Sequence, residues 1–289
     1  MLCAIIVVSC TSSPKPGPAL PDGAPDFSVL PDGGNVYLWA DVIKARALLE
    51  ALSFNGMKLS DASQVLDKTD TAVAALYPDT APRRFFMAGL GKYPSFGAGI
   101  SMGFSRDWKQ VKSATGKRYW FNHVLNLGTA LGSRLAFISD GDPLAPASGA
   151  DPSPQDFEAF RKPCVLAGWI NNAEAPLNRF LSGIAIPIQV PVESFYFGFI
   201  RAGEETGQTE KYETTIRVRT PTPSQAGALV SLLSIARNFM GFGGGGNTSL
   251  MGLLLTNLPV QDGAELHLRI PPLSAEEIAR HISSFSDAR

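Results

Sequence analysis

Ser101 lies in the pentapeptide at residues 99–103, Gly-Ile-Ser-Met-Gly, which has the G-x-S-x-G spacing of a hydrolase nucleophile. In that motif a sharp turn between a strand and a helix exposes the serine hydroxyl to a histidine base. Here the pentapeptide falls within an alternating, glycine-rich segment and is followed by a charged one. The three histidines, His123, His267 and His281, have no recognisable triad context. We therefore expect no catalytic residues and no enzyme activity.

The other glycine-rich and metal-binding patterns are equally weak. Residues 241–246 match G-x-G-x-x-G by letters, but they follow a helical segment rather than the strand that a dinucleotide site requires. The histidines and cysteines have no metal-ligand spacing. We expect no cofactor and no metal, and the formal net charge of −1 gives no electrostatic reason to expect nucleic acid.

Cys10 is the residue whose surroundings indicate a chemical modification. A short apolar run ends in Val7-Val8-Ser9-Cys10, and a segment rich in proline, glycine and serine follows. These four residues resemble the bacterial lipobox, in which the chain is cut before the cysteine and the thiol carries diacylglycerol. We expect residues 1–9 to be a signal peptide, shortened because no Lys or Arg precedes the run, and 10–34 to be a lipidated, disordered tether. A chance apolar terminus is the alternative.

Residues 223–258 form the least charged stretch, with Arg237 as the single charged side chain. Helical winding of 223–242 puts aliphatic side chains on one face and Gly, Ser and Asn on the other. Such a helix suits either a protein interior or a surface less polar than water. A second apolar run follows the glycines. The predicted membrane-contact residues are Leu229, Leu232, Leu233, Ile235, Phe239, Met240, Phe242, Leu250, Met251, Leu253, Leu254 and Leu255.

A basic segment lies in the first half of the chain. Residues 106–118 contain five basic side chains and one acid, interleaved with aromatic residues. This mixture is typical of a lipid headgroup interface, where cations meet phosphate and rings lie at the polar boundary. An exposed loop whose aromatic rings pack into the core is the alternative. The predicted interfacial residues are Trp108, Lys109, Lys112, Arg118 and Trp120.

The chain that carries these segments is long and apolar enough, at 289 residues and 45% hydrophobic, to bury a large core. Its patterns predict an α+β fold of two related sheet-plus-helix modules, an α/β/α-like body. We place the first module at 35–145, a linker at 146–156 and the second module at 157–289. Further predictions are a helix over 60–76, hairpins over 85–104 and 195–220, apolar helices within 223–258, a strand over 265–270 and a helix from residue 274.

The lipobox at residues 7–10, the Pro/Gly tether, the near-neutral body and the weakly polar helices of 223–258 together resemble a spirochaetal (treponemal) outer-membrane lipoprotein of the concealed type. The resemblance is one of whole-chain architecture and size. It implies an α/β/α body, lipid-anchored in the outer membrane and facing the periplasm. Such a body inserts amphipathic helices into the inner leaflet, alters permeability and aids uptake of nutrients or lipids. No catalytic residues carry over.

The partners expected from this resemblance are membrane lipids, with self-association in the membrane and without nucleic acid. A soluble lipid- or ligand-binding lipoprotein, whose apolar helices line a closed cavity, is the alternative function. A serine hydrolase acting through Ser101 is a third.

Overall fold

A computed structural model gives the fold of most of the chain. It describes residues 26–54, 57–58, 63–78, 84–94, 102–145, 147, 149–173, 191–203, 209–241, 253 and 256–286. Cys10, Ser101 and most of the second apolar run lie outside the described residues.

Twelve of the described strands form one antiparallel sheet, in the order β13-β14-β12-β11-β10-β1-β4-β5-β9-β8-β7-β6. A separate two-stranded ribbon pairs β2 with β3. The strands are β1 (Val36–Asp41), β2 (Ser53–Phe54), β3 (Met57–Lys58), β4 (Thr69–Leu76), β5 (Phe85–Gly91), β6 (Trp108–Lys112), β7 (Arg118–Asn122), β8 (Leu127–Leu131), β9 (Leu135–Ser139), β10 (Leu166–Ile170), β11 (Ser194–Ala202), β12 (Lys211–Arg219), β13 (Val260–Asp262) and β14 (Glu265–Ser274).

Helices are fewer and mostly short among the described residues. They are α1 (Arg46–Ala51), α2 (Ser63–Leu66), α3 (Phe157–Arg161), α4 (Pro223–Gly241) and α5 (Ala275–Ser286). A 3-10 turn at Phe27–Val29 precedes them.

The predicted α+β fold of two modules is wrong. β1 pairs with β4 on one side and with β10 on the other, so residues before and after the predicted linker at 146–156 belong to the same sheet. Alternation along each strand reveals a buried face but not which strands pair, because the pattern is the same in either arrangement. One sheet of twelve strands replaces the two predicted sheets.

Two local predictions are also wrong. Of the predicted helix over 60–76, residues 63–76 are described, and there the helix is limited to α2. β4 follows it, because Val73 and Ala75 point to one buried face with a period of two. The second strand of the predicted hairpin over 85–104 lies mostly outside the described residues. β5 is already paired on both sides, with β4 and β9, so it does not form that hairpin. The hairpin of β11 and β12 and the helix α4 are confirmed.

One face of the sheet, the first face, buries an aromatic cluster. Tyr37 stacks on Trp169 with ring centroids 4.6 Å apart, and Phe27 meets Trp169 edge-on at 4.5 Å. Phe157 of α3 closes the cluster at 4.6 Å from Trp169. Such aromatic contacts add to the large apolar area that these rings bury. Because Phe27 and Leu30 are 5% and 1% exposed, the packed body includes part of the predicted tether at 10–34.

The opposite face, the second face, is covered by α1 and α5 near its middle and by α4 near β14. Leu48 of α1 and Ile278 of α5 are buried in a cluster with Phe199 and Tyr212. Ser274 caps α5, since its hydroxyl accepts a hydrogen bond from Glu277 N at 3.2 Å and its own N–H donates to the Glu277 carboxylate at 2.8 Å. These helices leave α4 as the cover for the sheet edge beyond β12.

Candidate functional site

The first half of α4 is packed against the second face of the sheet. Ala226 and Leu229 are 0% and 2% exposed and form a cluster with Val218 of β12 and Leu266 of β14. Val218 and Leu266 are register partners, so the two strands present one apolar surface to the helix. This contact places the start of α4 firmly in the core.

Exposed side chains lie along the outer side of α4, from Ser224 and Ala228 to Ser231. Ile235 is 47% exposed, and Arg237 and Asn238 are exposed beyond it. The distinctive feature is the lack of charge on this side: a helix surface in water usually carries several Lys or Glu side chains, whereas α4 carries Arg237 alone.

The serine hydroxyls on the polar side of α4 form hydrogen bonds within the helix. The Ser231 hydroxyl donates to Gly227 O at 2.9 Å, and the Ser234 hydroxyl donates to Val230 O at 2.8 Å. Each hydroxyl proton is thereby satisfied by the helix itself, as happens for serines in helices within apolar surroundings. These two serines consequently do not depend on water as an acceptor for their hydroxyl protons.

The start of α4 is fixed to the β13–β14 turn. Thr222 caps it by accepting from Gln225 N at 3.3 Å, and the Gln261 amide donates to Pro223 O at 2.8 Å. Gly227 faces the same glutamine, since a Cβ at that position would lie 3.3 Å from Gln261 Oε1. These contacts hold the first turns of α4 in place.

The predicted membrane-contact residues have different surroundings. Leu229 is buried, Leu232 and Leu233 are half-buried against the sheet, and Ile235 is exposed. Leu253 is half-buried. The side chains of the other seven fall outside the described part of the structure: Phe239, Met240, Phe242, Leu250, Met251, Leu254 and Leu255.

Behind α4, on the first face, β11, β12 and β14 carry a network of paired charges. Asp156 accepts from the Tyr196 hydroxyl at 2.5 Å and from Arg217 Nη2 at 2.6 Å. Arg219 Nε donates to Glu265 at 2.8 Å, and His267 Nε2 lies 3.3 Å from the same carboxylate. The arginine guanidinium of Arg217 also lies over the Tyr196 ring, 4.6 Å from its centroid.

This network sets the ionisation of its central carboxylate. Burial acts to raise the pKa of Asp156, but the Tyr196 hydrogen bond and the Arg217 charge outweigh it, so that pKa lies below its ordinary value. Asp156 is therefore held as an anion that neutralises neighbouring arginines. The arrangement is a structural ion-pair network rather than an open binding site.

At the opposite edge of the sheet, the β6–β7 hairpin carries the predicted interfacial residues. Trp108 and Trp120 are half-buried and lie on the second face with Lys112 and Arg118, whereas Lys109 lies on the first. All three cations are exposed. The sequence pattern correctly groups these residues in space, but the strand alternation divides the cations between two faces.

Large exposed apolar residues beside this hairpin escaped the sequence analysis. Phe104 is 87% exposed, Val124 67% and Leu125 51%. Phe104 falls at the end of the predicted hairpin over 85–104, and Val124 and Leu125 fall between two strands, so the only sequence signal for their exposure is their apolar residue type. Single apolar residues in turns are common, so the pattern alone did not mark them.

The residues considered for catalysis are dispersed. His123 is exposed directly after β7, and His267 is exposed within β14. His281 is buried in α5, and Ser101 lies outside the described residues. Burial raises the pKa of the Cys164 thiol to about 11, which makes it an inert core residue. Within the described ranges, no group of three or more His, Cys, Asp or Glu side chains could hold a metal ion.

Among known proteins, only the comparison with solved structures finds a match to this chain. No family model matches this chain. No curated protein matches it by sequence. Solved structures of TP0453, a treponemal protein, do match. The chain shares the fold of TP0453.

The match to TP0453 extends over nearly the whole of both chains. Crystal form III has a TM-score of 0.62 at 18% identity and covers 91% of this chain and 99% of that chain. Crystal form I gives 0.61 at 18% identity, with coverages of 91% and 98%. Crystal form IV gives 0.57 at 17% identity, with coverages of 90% and 97%. The likeness agrees with the spirochaetal resemblance noted in the sequence, at the level of the fold.

In the part of the chain that the structure describes, none of the helices has the length and apolarity needed to cross a bilayer.

Proposed function

We propose that this protein is a lipid-anchored outer-membrane lipoprotein that binds the periplasmic leaflet through α4 and alters permeability, in the service of nutrient or lipid uptake. The role is one of binding rather than catalysis, with membrane lipids as the partner and self-association in the membrane as a consequence. The observation that carries the proposal is the outer side of α4, where Ile235 is 47% exposed on a helix whose single charged side chain is Arg237.

Energetics allow α4 to exchange between the sheet and a bilayer. Apolar area gains roughly 25 cal/mol per Å² whether it is buried in a protein core or in lipid, so the two locations compete on similar terms. The serine hydroxyls that bond within α4 remove much of the polar cost of entering lipid. Arg237 can extend its aliphatic stem and keep its charge among the headgroups.

The lipid on Cys10 complements this weak contact. A tethered body sees the membrane at a high effective concentration, so a helix contact of modest intrinsic affinity becomes occupied. The chains on the cysteine supply the firm attachment, and α4 supplies a contact that can be made or released.

Vesicle flotation of the acyl-free Cys10→Ser protein tests the proposal. We expect this protein to float with vesicles and an added Ile235→Ser change to weaken binding about tenfold, since the lost side-chain burial amounts to about 1–2 kcal/mol. Ile43→Ser is the matched control, because Ile43 is 68% exposed and distant in sequence from α4. If both variants float equally well, α4 is not the contact.

Dye leakage from the same vesicles tests the permeability claim. We expect the acyl-free protein to release an entrapped dye and Ile235→Ser to release it more slowly at equal protein concentration. Binding without any leakage would reduce the function to membrane attachment.

A second candidate is a lipid carrier with an internal apolar site. Leu38, Ala74, Met87 and Ile138 form a register-matched row on the second face, and each is only half-buried. An acyl chain lying along this row would complete its burial. Mass spectrometry of the purified Cys10→Ser protein under native conditions tests it: a stoichiometric co-purified lipid supports a carrier, and a lipid-free mass counts against one.

A further inference from the structure

We infer that the β6–β7 hairpin and the loops at its open end form a second membrane-contact surface, one that selects anionic lipid headgroups. The inference rests on the proposed membrane function but concerns a different edge of the sheet. Its elements are a set of unpaired cations, a set of exposed apolar side chains, and a backbone arrangement that holds the two together.

The cations of this hairpin make no ion pair with any described residue; the nearest anion at the β6–β7 turn is Asp142, whose carboxylate accepts from Ala114 N at 3.2 Å. All five are exposed: Arg106, Lys109, Lys112, Lys117 and Arg118. Only Asp107 offsets them within residues 106–118. The described Arg118 contact is a neutral one, since its Nη1 donates to Gln110 Oε1 at 3.0 Å. Such a density of free positive charge fits a negatively charged surface.

Alternation along the hairpin distributes these cations around its edge. Lys109 points to the first face, whereas Lys112 and Arg118 point to the second. A partner lying flat on either face would meet only part of the charge. A headgroup layer approached edge-on, with the edge strand β6 leading, meets the cations of both faces.

The apolar side chains lie at the open end of the same hairpin. Asn122 Oδ1 accepts from Val124 N at 3.0 Å and from Leu125 N at 2.9 Å, which fixes the turn that exposes those two side chains. His123 N donates to Asp107 O at 3.1 Å and joins this turn to the loop that carries Phe104. Phe104, Val124 and Leu125 are thus presented together from two connected loops.

Lys112, Lys117 and Arg118 lie at the turn end of the hairpin, and Arg106 and Lys109 lie toward the end that carries the apolar side chains. Exposed aliphatic and phenyl groups on the same hairpin as these cations fit a bilayer interface better than a nucleic acid. Strand binding without sequence preference relies on exposed aromatic rings on which bases stack. Here the two tryptophans of the hairpin are half-buried, and Gly103 lies against Trp120, where an added Cβ would be 3.5 Å from the ring. The tryptophans are therefore only partly available for stacking. The side chains that are most exposed are Phe104, Val124 and Leu125, which are of the kind that partitions into lipid.

Vesicle binding by the acyl-free Cys10→Ser protein tests the inference. The measurement compares phosphatidylcholine vesicles with vesicles that also contain phosphatidylglycerol, at low and at physiological salt. We expect tighter binding to the anionic vesicles, with the difference shrinking as salt rises.

Two variants separate the contributions. Lys109→Gln, Lys112→Gln and Lys117→Gln combined should weaken anionic-vesicle binding on the order of 100-fold, at about fivefold per cation. Phe104→Ser, Val124→Ser and Leu125→Ser combined should weaken binding to both vesicle types. The matched control replaces the exposed lysines Lys68, Lys92 and Lys162 with glutamine and should leave binding within about twofold.

The outcomes also separate this inference from the proposed function. Equal binding to both vesicle types that is lost with Ile235→Ser, but not with the hairpin variants, overturns the inference and leaves the α4 contact standing. Binding to a single-stranded oligonucleotide that depends on the three lysines, without a matching loss on vesicles, also overturns it. Failure of the acyl-free protein to bind any vesicle contradicts both surfaces.

Discussion

The two edges of the sheet differ in whether their charged side chains are paired. At the β13–β14 edge, Arg217 and Arg219 are paired with Asp156 and Glu265, and the covering helix α4 is almost uncharged. At the β6–β7 edge, the cations are free and no described helix of comparable length covers the strands. The charged side chains of the first edge are paired within the fold, whereas those of the second edge are exposed. In the proposed membrane function, the apolar contact and the electrostatic contact therefore lie at opposite edges of the sheet.

Distance along the sheet keeps these two contacts independent. β13 and β6 are the two ends of the twelve-strand order. At about 4.8 Å per strand step, roughly 50 Å of sheet separates them. Substitutions at the two edges share no contacts, so their effects on stability and on binding should add.

The largest expected effect on stability comes from loosening α4. Leu266→Ala removes a buried side chain from the sheet side of the contact with Leu229 of α4 and should lower the free energy of unfolding by about 2–4 kcal/mol. Weaker docking on the sheet also favours the membrane-bound state, so vesicle affinity should rise several-fold. Hydrogen exchange of α4 and flotation measure the two effects. A loss of stability without any gain in vesicle binding would mean that α4 does not exchange between the two locations.

A smaller effect is expected from the paired charges behind α4. Asp156→Asn leaves the Arg217 guanidinium without its anion and should cost about 1–3 kcal/mol at neutral pH. Urea unfolding of the two proteins measures the difference. An unchanged midpoint would show that the arginine finds an equivalent partner. The paired charges at this edge would then not stabilise the fold, contrary to the comparison with the other edge.

The same pair predicts how this difference varies with pH. Because the pKa of Asp156 is lowered in the folded state, its contribution is complete above the ordinary aspartate pKa of about 3.9 and is lost as pH falls through the folded pKa. The stabilities of the wild-type protein and of Asp156→Asn should therefore converge below about pH 4. Unfolding titrations at stepwise pH measure this, and curves that stay parallel to pH 3 would argue against an ionised Asp156 as the cause.

The smallest expected effect concerns the free cations. Lys109→Gln, Lys112→Gln and Lys117→Gln combined should change the free energy of unfolding by no more than about 0.5 kcal/mol, since each side chain is exposed and unpaired. Thermal unfolding beside the Lys68, Lys92 and Lys162 control measures it. A large loss would make the hairpin charges part of the fold, like those at the other edge.

Local pattern predicted the α4 edge well. The alternation in β11 and β12 and the uncharged helical stripe of α4 are both strong, and each element is followed by its neighbour in sequence and in space. The prediction of α4 as a helix with an apolar face therefore needed no knowledge of distant contacts.

The single sheet could not be predicted in the same way. β10 lies far from β1 in sequence yet pairs with it, and such pairings leave no mark in the local pattern. β4 reads as helix because Val65, Thr69, Ala72 and Leu76 happen to recur at helical spacing, while its environment between β1 and β5 imposes the extended form. Tertiary pairing overrode the local preference there.

The hairpin surface was predicted only in part. The basic residues were visible as a cluster in sequence, and their exposure follows from position on an edge strand. The two tryptophans are half-buried, whereas Phe104, Val124 and Leu125 are exposed. The exposure of Val124 and Leu125 depends on the turn that hydrogen bonds to Asn122 fix. A turn geometry of that kind is set by side-chain hydrogen bonds that the sequence pattern does not reveal.

A fluorophore on α4 tests the central claim most directly. With Cys3 and Cys10 replaced by serine, Cys164 stays unreactive in the core, so Ile235→Cys can be labelled selectively with an environment-sensitive dye and compared with Ile43→Cys. On addition of vesicles we predict a blue shift and shielding from aqueous quenchers at position 235, with no change at position 43. Identical, water-exposed spectra at both positions with and without vesicles would contradict the account.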